Sequence, residues 1–368
     1  MPLLRLLSAL AASAVVAFSA PPVVQTDVFI SGREGYHTYR IPAVIRAANG
    51  SILAFCEGRK SSSSDTGDID LVLKRSLDDG RTWSPLQVVW DDATNTCGNP
   101  CPVLDENTGA LWLLLTHNLG TDGQRAIEAR TAKGTRTVWV SHSMDHGVTW
   151  TKPAEITASV KNTAWTWYAT GPGVGIQIKH GPHRGRLVIP CDHYYDDAAT
   201  AKPRSGAHAI FSDDHGLTWQ LGASIGPDLN ECQVAELFDG RGTLLMNLRS
   251  YRGTGVRLHA SSTDGGATWS APVDADGLIE PVCQGSILRH DAAKLLLFSN
   301  PAAKTRVNVT VRSSSDHGAT WRDVTPLHAG PSAYSSLVAL GRKEAGCLYE
   351  RGDKRAYEKI TFARFSVP

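Results

Sequence analysis

The chain has 368 residues, of which 42% are hydrophobic and 20% are charged, and its formal net charge is +1. Because no basic block or basic-aromatic interleaving is present, the composition argues against nucleic acid as a partner. An anionic ligand must therefore be bound by a local group of arginines rather than by the overall field of the protein.

The first twenty residues have the pattern of a secretory signal peptide. One charge, Arg5, precedes an apolar run over residues 6–18, and small residues then lead to Pro21. The run is too short for a transmembrane helix, and no later stretch approaches that length. The sequence predicts a signal peptide over residues 1–20 and one exported domain over residues 21–368, secreted to the medium, the periplasm or the cell surface.

An eight-residue motif, Ser-x-Asp-x-Gly-x-Thr-Trp, occurs five times along the chain. We call each copy an Asp box; the copies begin at Ser76, Ser143, Ser212, Ser262 and Ser314. The Asp can hydrogen-bond nearby backbone, the Gly supplies a positive φ, and the Trp can fold back with its N–H near a partner. Because β-rich runs flank the boxes, each box is predicted to be the turn of a β-hairpin.

The spacing of the boxes predicts the architecture. Successive boxes start 67, 69, 50 and 52 residues apart. The two shorter intervals match one four-stranded propeller blade, and the longer ones match a blade with extended loops. We therefore predict an all-β fold, a six-bladed β-propeller with four-stranded antiparallel blades, in which strands from both termini close one blade.

The cysteines do not indicate a metal site. Seven are present, an odd number, and neither Cys-x-x-Cys nor another zinc-type spacing occurs. Cys97 and Cys101 are close enough in sequence to pair, whereas the others lie in strand-like runs and are expected to be buried. His193 has carboxylates nearby, but no ligand spacing accompanies it. We expect neither a metal nor an organic cofactor.

Four segments interrupt the alternation of strands and boxes. The first is Tyr39-Arg40-Ile41-Pro42, followed by Arg59 and a serine-rich loop that contains Asp65. Because a Pro inside a strand pattern marks an edge or a strand start, Arg40 is predicted at the start of an innermost strand, at the rim of a central channel. Taken alone, such arginines are usually surface charges, and such a loop is usually a solvated linker.

The other three segments lie further along the chain and each carries a charged or phenolic side chain. They are Glu231-Cys232-Gln233 with Arg249, Cys283-Gln284-Gly285-Ser286 with Arg306, and Ala333-Tyr334-Ser335-Ser336-Leu337 with Glu350. Together with Arg-Ile-Pro and the five boxes, in this order, they resemble the exo-sialidase (neuraminidase) family of bacterial and animal type. The resemblance spans nearly all of residues 21–368 and implies a sialidase catalytic domain.

The resemblance also implies roles for individual residues. Arg40, Arg249 and Arg306 match the three arginines that bind the carboxylate of sialic acid. Arg312 is an alternative to Arg306, but it lies directly before a box and so at the far end of its strand.

The remaining roles concern the chemical step. Asp65 matches the acid/base residue, Tyr334 the nucleophile and Glu231 the base that partners the nucleophile. Glu350 matches the carboxylate that holds the first arginine, and Arg59 matches an additional arginine near the acid/base loop.

Some positions stay open at this stage. Asp68 and Asp70 compete with Asp65, although Asp70 opens the strand that leads to the first box and is interpreted as structural. The aromatic and polar residues Trp165, Trp167, Tyr168 and residues 192–197 are candidates for the pocket wall, with core packing as the alternative.

These implications predict a retaining exo-α-sialidase. It would release terminal sialic acids from glycoproteins, glycolipids and oligosaccharides through a covalent sialyl-tyrosine, as a monomer and without a cofactor. One alternative is a trans-sialidase or an anhydro-sialidase. The other is a non-catalytic Asp-box lectin or receptor, which would lack some of the three residues Asp65, Glu231 and Tyr334.

Overall fold

A computed structural model describes residues 23–200 and 202–368, and the predicted signal peptide lies outside them. The described residues form an all-β fold, as predicted. In chain order the first strands and helix are β1 (Val24–Ile30), β2 (Thr38–Arg46), β3 (Ile52–Arg59), β4 (Ile69–Ser76), β5 (Gln87–Trp90), β6 (Thr96–Leu104), β7 (Leu111–Asn118), α1 (Gln124–Glu128), β8 (Thr137–Ser143) and β9 (Ala154–Glu155).

The second part of the chain continues in the same way. Its elements are α2 (Thr157–Val160), β10 (Trp165–Thr170), β11 (Ile176–Gln177), β12 (Leu187–Asp197), β13 (Lys202–Ser212), β14 (Gln220–Leu221), β15 (Leu229–Glu236), β16 (Leu244–Ser250), β17 (Val256–Ser262) and β18 (Val273–Ile279). The last strands are β19 (Ser286–His290), β20 (Leu295–Pro301), β21 (Val307–Ser314), β22 (Arg322–Ala339), β23 (Glu344–Arg351) and β24 (Lys359–Ser366). Neither described helix is long and apolar enough to cross a membrane.

The strands form four sheets. Their orders are β2-β3-β4-β6-β7-β8-β9 with β5 on β4, β10-β12-β13-β14 with β11 on β12, β15-β16-β17-β18, and β1-β24-β23-β22-β21-β20-β19. In the first sheet β4 and β6 join through one parallel bridge, Ile69 to Thr96. In the last sheet the 18-residue β22 pairs with β21 and then with β23. The pairing of β1 with β24 confirms that strands from both ends of the chain share one sheet.

The Asp boxes are hairpin turns, as predicted. In the first copy, Asp78 Oδ1 accepts hydrogen bonds from Ser76 Oγ and from the backbone N–H of Thr82, both at 2.8 Å. Asp78 Oδ2 accepts one from Thr82 Oγ1 at 2.7 Å, and the Gly80 N–H donates to Ser76 Oγ at 2.8 Å. The carboxylate therefore reaches four residues ahead, and equivalent contacts recur in the other four boxes.

The box glycine is required by both conformation and space. Gly80 has a φ of 84°, and a Cβ there would lie 2.1 Å from the ring of Phe362 on β24. Trp83 packs edge-on against that same ring with 5.4 Å between ring centroids. The first box thus fastens the first sheet to the last. The expectation of a partner for the indole N–H is wrong for four of the five boxes, because within the described residues only Trp321 has one, the Gly318 carbonyl.

Strands of neighbouring sheets contact one another in succession. β2 contacts β6 and β22, β6 contacts β10 and β12, β12 contacts β15, and β19 contacts both β15 and β22. Aliphatic and aromatic side chains fill the space between neighbouring sheets. All seven cysteines, which lie within the described residues, are buried and unpaired, so the possible pair of Cys97 with Cys101 is not formed.

Candidate active site

Irregular pairing of the central strands positions the site. Five antiparallel pairs shift register close to residues that line one cavity, between Arg40 and Ala43, Gly98 and Cys101, Trp165 and Tyr168, Leu229 and Cys232, and Ser332 and Ser335. Such bulges bend a strand and redirect its side chains, and they are common beside active sites. Here they surround a cavity of about 240 Å³.

Seven of the eight predicted site residues line this cavity, and the eighth lies directly behind it. The seven are Arg40, Arg59, Asp65, Glu231, Arg249, Arg306 and Tyr334, and the eighth is Glu350.

The competing aspartates and the competing arginine lie elsewhere. Arg312 pairs with Asp323 at 3.1 Å, Asp70 accepts a hydrogen bond from Tyr36 at 2.5 Å, and Asp68 lies 3.5 Å from Lys60 Nζ. The structure therefore brings together the residues that the sequence favoured.

Arg40 is fixed by Glu350. Its Nε and Nη2 donate to the two carboxylate oxygens of Glu350 at 3.0 and 3.3 Å, and Glu350 is fully buried. The same carboxylate accepts the backbone N–H groups of Ile41 at 2.9 Å and Tyr334 at 3.1 Å. Ile41 has a φ of 60°, a conformation that is strained for a β-branched residue. Glu350 thus holds an arginine, a strained turn and the backbone of Tyr334 together.

Tyr334 and Glu231 are joined by a short hydrogen bond within the cavity. The Tyr334 hydroxyl donates to Glu231 Oε1 at 2.5 Å, although the two residues are 103 positions apart. Arg249 Nη1 donates to Glu231 Oε2 at 2.6 Å and to the Tyr334 oxygen at 3.2 Å. Burial, followed by the charge of Glu231, raises the pKa of Tyr334 well above its usual value, so the phenol is neutral at rest.

The remaining arginine reaches the same phenol ring from another direction. Arg306, directly before β21, has its guanidinium 5.7 Å from the centroid of the Tyr334 ring, and that of Arg40 lies 4.9 Å away. Arg306 Nη1 donates to the Tyr357 hydroxyl at 2.8 Å. Arg249 keeps its Nε without a partner among the described residues. Three positive groups from distant parts of the chain thus converge on one space.

Asp65 lies at the mouth of the cavity, in the loop between β3 and β4. Its side chain is 62% exposed, and its Oδ1 lies 2.7 Å from Arg59 Nη2 and 3.5 Å from Arg40 Nη1. Partial burial acts to raise the pKa of Asp65, but the Arg59 and Arg40 charges outweigh it and hold the pKa below its ordinary value. Asp65 is therefore ionised in the unliganded protein.

Several lining residues were not foreseen from the sequence. Arg136 is buried; it stacks over Trp167 with 4.1 Å to the ring centroid and donates to Asn99 Oδ1. Glu57 accepts a hydrogen bond from Arg59 Nη2 at 2.6 Å and holds that arginine against Asp65. Tyr357 and Tyr251 also line the cavity. These are single residues in ordinary strands and loops, so the only available signal was the nearness of Glu57 to Arg59.

The aromatic candidates divide between the cavity and the core. Trp167 lines the cavity, whereas Trp165 and Tyr168 lie behind it with His193, which stacks 3.6 Å from the Trp165 ring. Of residues 192–197, the cavity is lined by positions 192 and 194. No cluster of three or more potential metal ligands occurs among the described residues. His193 is instead part of the core, and burial lowers its pKa to about 3.

This arrangement of strands and boxes agrees with comparisons to known proteins. Residues 50–346 match the model of a BNR repeat-like domain, which defines the class of the chain.

Individual relatives are more specific. A sialidase of Micromonospora viridifaciens is 34% identical over 96% of this chain, which spans 56% of that protein. An exo-alpha-sialidase of Aspergillus fumigatus is 33% identical over 90% of this chain and 85% of that protein. Among solved structures, the Hadza microbial sialidase has a TM-score of 0.81 and 31% identity, over 93% of this chain and 68% of that one. The chain belongs to the sialidase family of glycoside hydrolases.

Proposed function

We propose that this chain is a retaining exo-α-sialidase that releases terminal sialic acids from glycoproteins, glycolipids and oligosaccharides. One observation carries the proposal: a buried phenol, Tyr334, donates to Glu231 at 2.5 Å in a cavity that also holds Arg40, Arg249 and Arg306. The named relatives supply the substrate class. No organic cofactor or metal is part of the proposal.

The three arginines suit the carboxylate that a sialoside carries on its anomeric carbon. Guanidinium groups are planar and permanently charged, and they can donate two parallel hydrogen bonds to a carboxylate. Because Glu350 orients Arg40 and Glu231 orients Arg249, both forks are preorganised before the substrate arrives. We therefore assign carboxylate binding to Arg40, Arg249 and Arg306.

The nucleophile follows from electrostatics. Most glycoside hydrolases use two carboxylates, and sialidases are an exception with a tyrosine. A carboxylate nucleophile would be repelled by the carboxylate of the substrate, whereas Tyr334 approaches as a neutral phenol. Glu231 accepts the phenolic proton as the oxygen of Tyr334 bonds to the anomeric carbon, and Arg249 stabilises the charge that develops on that oxygen.

Asp65 acts on the departing group. As the bond between the anomeric carbon and the glycosidic oxygen breaks, protonated Asp65 gives its proton to that oxygen. The Asp65 carboxylate then takes a proton from water, which attacks the anomeric carbon; the bond to the Tyr334 oxygen breaks, and Glu231 returns its proton to that oxygen. Two inversions at one carbon give net retention. Binding of the substrate carboxylate at Arg40 places a like charge near Asp65, which raises its pKa toward the acid form that the first step needs.

The strand order also supports a six-bladed β-propeller, which we propose as the architecture. Dividing the first sheet at the Ile69–Thr96 bridge and the last sheet along β22 gives six groups of four principal strands, consistent with a six-bladed β-propeller. The successive contacts of the central strands support a closed ring. We further propose that a signal peptide over residues 1–20 exports residues 21–368 as a secreted monomeric domain. A purely lectin-like role is disfavoured because Asp65, Glu231 and Tyr334 meet at one cavity.

The test is incubation of the purified protein with 4-methylumbelliferyl α-sialoside while the product is followed by proton NMR. The account predicts release of the fluorophore and an α-anomer of free sialic acid as the first product. A first product in the β-form would contradict retention. An anhydro sugar as the product would show intramolecular transfer in place of hydrolysis. Binding without release would favour the lectin alternative.

A further inference from the structure

A buried ion pair, Arg257 with Glu280, lies outside the cavity and has no part in the proposed mechanism. Arg257 is on β17 and Glu280 directly follows β18, and their side chains are 0% and 1% exposed. Arg257 Nη1 donates to Glu280 Oε2 at 2.8 Å, and Arg257 Nε donates to Asn247 Oδ1 at 2.7 Å. A buried ion pair seldom stabilises a protein more than apolar side chains of similar volume would. The pair therefore needs a reason other than stability.

Glu280 holds the main chain beside Arg249, which lies near the end of β16. The pairing of β16 with β17 ends where Leu248 is opposite Leu258, so that ladder does not hold the residues that follow. Glu280 Oε1 instead accepts the backbone N–H of Ser250 at 2.8 Å. Because this N–H belongs to the peptide group that follows Arg249, the carboxylate fixes the main chain from which the Arg249 side chain extends.

Arg257 holds the segment that contacts Arg306. The same Nη1 atom that donates to the carboxylate also donates to the carbonyl of Cys283 at 2.6 Å. Val282, directly before Cys283, has a φ of 53°, which is strained for a β-branched residue, and its carbonyl accepts Arg306 Nη2 at 3.3 Å. A strained conformation persists only where the surrounding structure enforces it. The bond from Arg257 therefore helps to keep the Val282 carbonyl in place for Arg306.

Glu350 provides a comparable anchor at Arg40. It is a buried carboxylate that accepts the backbone N–H of a strained β-branched residue, Ile41. The Arg257–Glu280 pair also combines a buried carboxylate, a backbone N–H and a strained β-branched residue. The difference is that Glu350 contacts the guanidinium itself, whereas the pair acts through the main chain.

We propose that the Arg257–Glu280 ion pair positions Arg249 and Arg306 to bind the carboxylate of the substrate. The inference rests on the proposed sialidase function and deepens it. Both members are positioning residues, because neither is among the residues that line the cavity. A guanidinium donates two hydrogen bonds to a carboxylate only in a narrow geometry, so a displaced main chain weakens that contact. Loss of the pair should therefore weaken binding of the carboxylate more than binding of the rest of the sugar.

The test compares two ligands, 2-deoxy-2,3-didehydro sialic acid and its methyl ester, in which the carboxylate charge is removed. Glu280→Gln keeps the shape of the side chain and an acceptor for the Ser250 N–H, but it removes the charge opposite Arg257. Its affinity for the free acid is expected to fall by ~10-fold or more, and its affinity for the ester by less than ~3-fold, as measured by NMR titration. Only the free acid offers a carboxylate to the arginines.

Glu236→Gln is the matched control. Glu236 is also a buried carboxylate, 2% exposed, that accepts a backbone N–H, from Lys179 at 2.6 Å, and lies 3.4 Å from an arginine, Arg289. It does not line the cavity, so this variant should bind both ligands as the wild type does.

Equal losses on both ligands for Glu280→Gln, or no loss on either, would overturn the proposal. If circular dichroism shows that Glu280→Gln does not fold, the double variant Arg257→Met with Glu280→Gln, which leaves no unpaired buried charge, is judged by the same criterion. If the wild type neither binds the free acid nor cleaves a sialoside, the proposed function fails and this inference fails with it. If the wild type cleaves the sialoside and the losses of the variant are equal, this inference alone fails.

Discussion

The carboxylates of the Asp boxes and the carboxylate that anchors Arg40 at the cavity are held in opposite ways. In the first sheet, Arg59 and Ile52 are the two ends of β3; Arg59 lines the cavity, whereas Ile52 pairs with Ser76, where the first Asp box begins. In each box the aspartate accepts hydrogen bonds from residues at most four positions away. At the cavity, Arg40 and Glu350 pair across 310 positions.

The difference shows how the chain divides its tasks. The boxes are specified locally, so one short motif can be repeated wherever a hairpin must close. The site exists only when distant strands meet, and five bulges then direct its side chains inward. Substitutions at the two ends should therefore separate stability from chemistry.

The largest effect is expected at the nucleophile. Tyr334→Phe keeps the ring and removes the attacking oxygen, so kcat should fall by ~10³-fold or more while the protein folds normally. Steady-state kinetics measures kcat, and circular dichroism checks the fold. Tyr349→Phe, at a buried tyrosine on β23 outside the cavity, is the matched control. Near-normal retaining turnover by Tyr334→Phe would show that Tyr334 is not the nucleophile.

The acid/base loop should respond next. Asp65→Asn is expected to lower kcat/KM by ~10²–10⁴-fold on an alkyl sialoside, because a general acid in place contributes about that much. The loss should be smaller on an aryl sialoside, whose leaving group needs less protonation. Asp68→Asn changes a carboxylate of the same loop that does not line the cavity and should have little effect. Equal losses on both leaving groups would argue against the acid role.

Glu350 should affect both the stability of the protein and its binding of substrate. Glu350→Gln leaves the Arg40 guanidinium buried without a full counter-charge, which typically costs about 3–5 kcal/mol of unfolding free energy. It also loosens the fork, so KM should rise. Urea unfolding and substrate titration measure both. Glu344→Gln removes an exposed partner of Arg364, and its cost should stay below ~1 kcal/mol. A Glu350 variant that matches Glu344→Gln would contradict the anchoring role.

A pH shift should follow from Arg59. Its charge holds the pKa of Asp65 down, so Arg59→Gln raises that pKa and increases the protonated fraction at any given pH. The limb on which kcat/KM falls with rising pH should therefore move to higher pH, as measured on the alkyl sialoside, whose leaving group depends on the acid. A limb that stays in place or moves to lower pH would show that Asp65 is not the group that titrates.

The smallest kinetic effect is expected at the boxes. Hydrogen bonds from Thr320 and Ser314 lower the pKa of Asp316 to about 2. Because the folded-state pKa is the lower one, this stabilisation is complete above the ordinary pKa near ~3.8 and is lost as the pH falls toward 2. Asp316→Ala should lower Tm at pH 7 but not at pH 2, with kcat/KM unchanged. A box variant with a lower kcat/KM and an unchanged Tm would contradict the assignment of the boxes to stability alone.

The same contrast explains what the sequence could predict. The boxes, the all-β class and the union of the terminal strands follow from local spacing. Arg306 was preferred to Arg312 because a box marks the far end of its strand, and the structure places only Arg306 at the cavity. The site roles came from family resemblance, since no local rule brings Tyr334 to Glu231.

Other contacts had no signal of either kind. Arg136, directly before β8, stacks on Trp167 of β10 because these elements meet in space. Nothing in their sequence spacing indicates this contact. The indole groups of the boxes were expected to find hydrogen-bond partners, but four of them are buried with no partner within reach among the described residues. The free energy of burying these rings depends on the neighbouring sheet, which local spacing does not reveal.

The most direct measurement is to trap the proposed intermediate. The protein is incubated with 2,3-difluorosialic acid, digested, and its peptides are examined by mass spectrometry. The account predicts a covalent fluorosialyl group on the oxygen of Tyr334, together with inactivation at the same rate, and no such adduct in Tyr334→Phe. Inactivation with the label on another residue would contradict it.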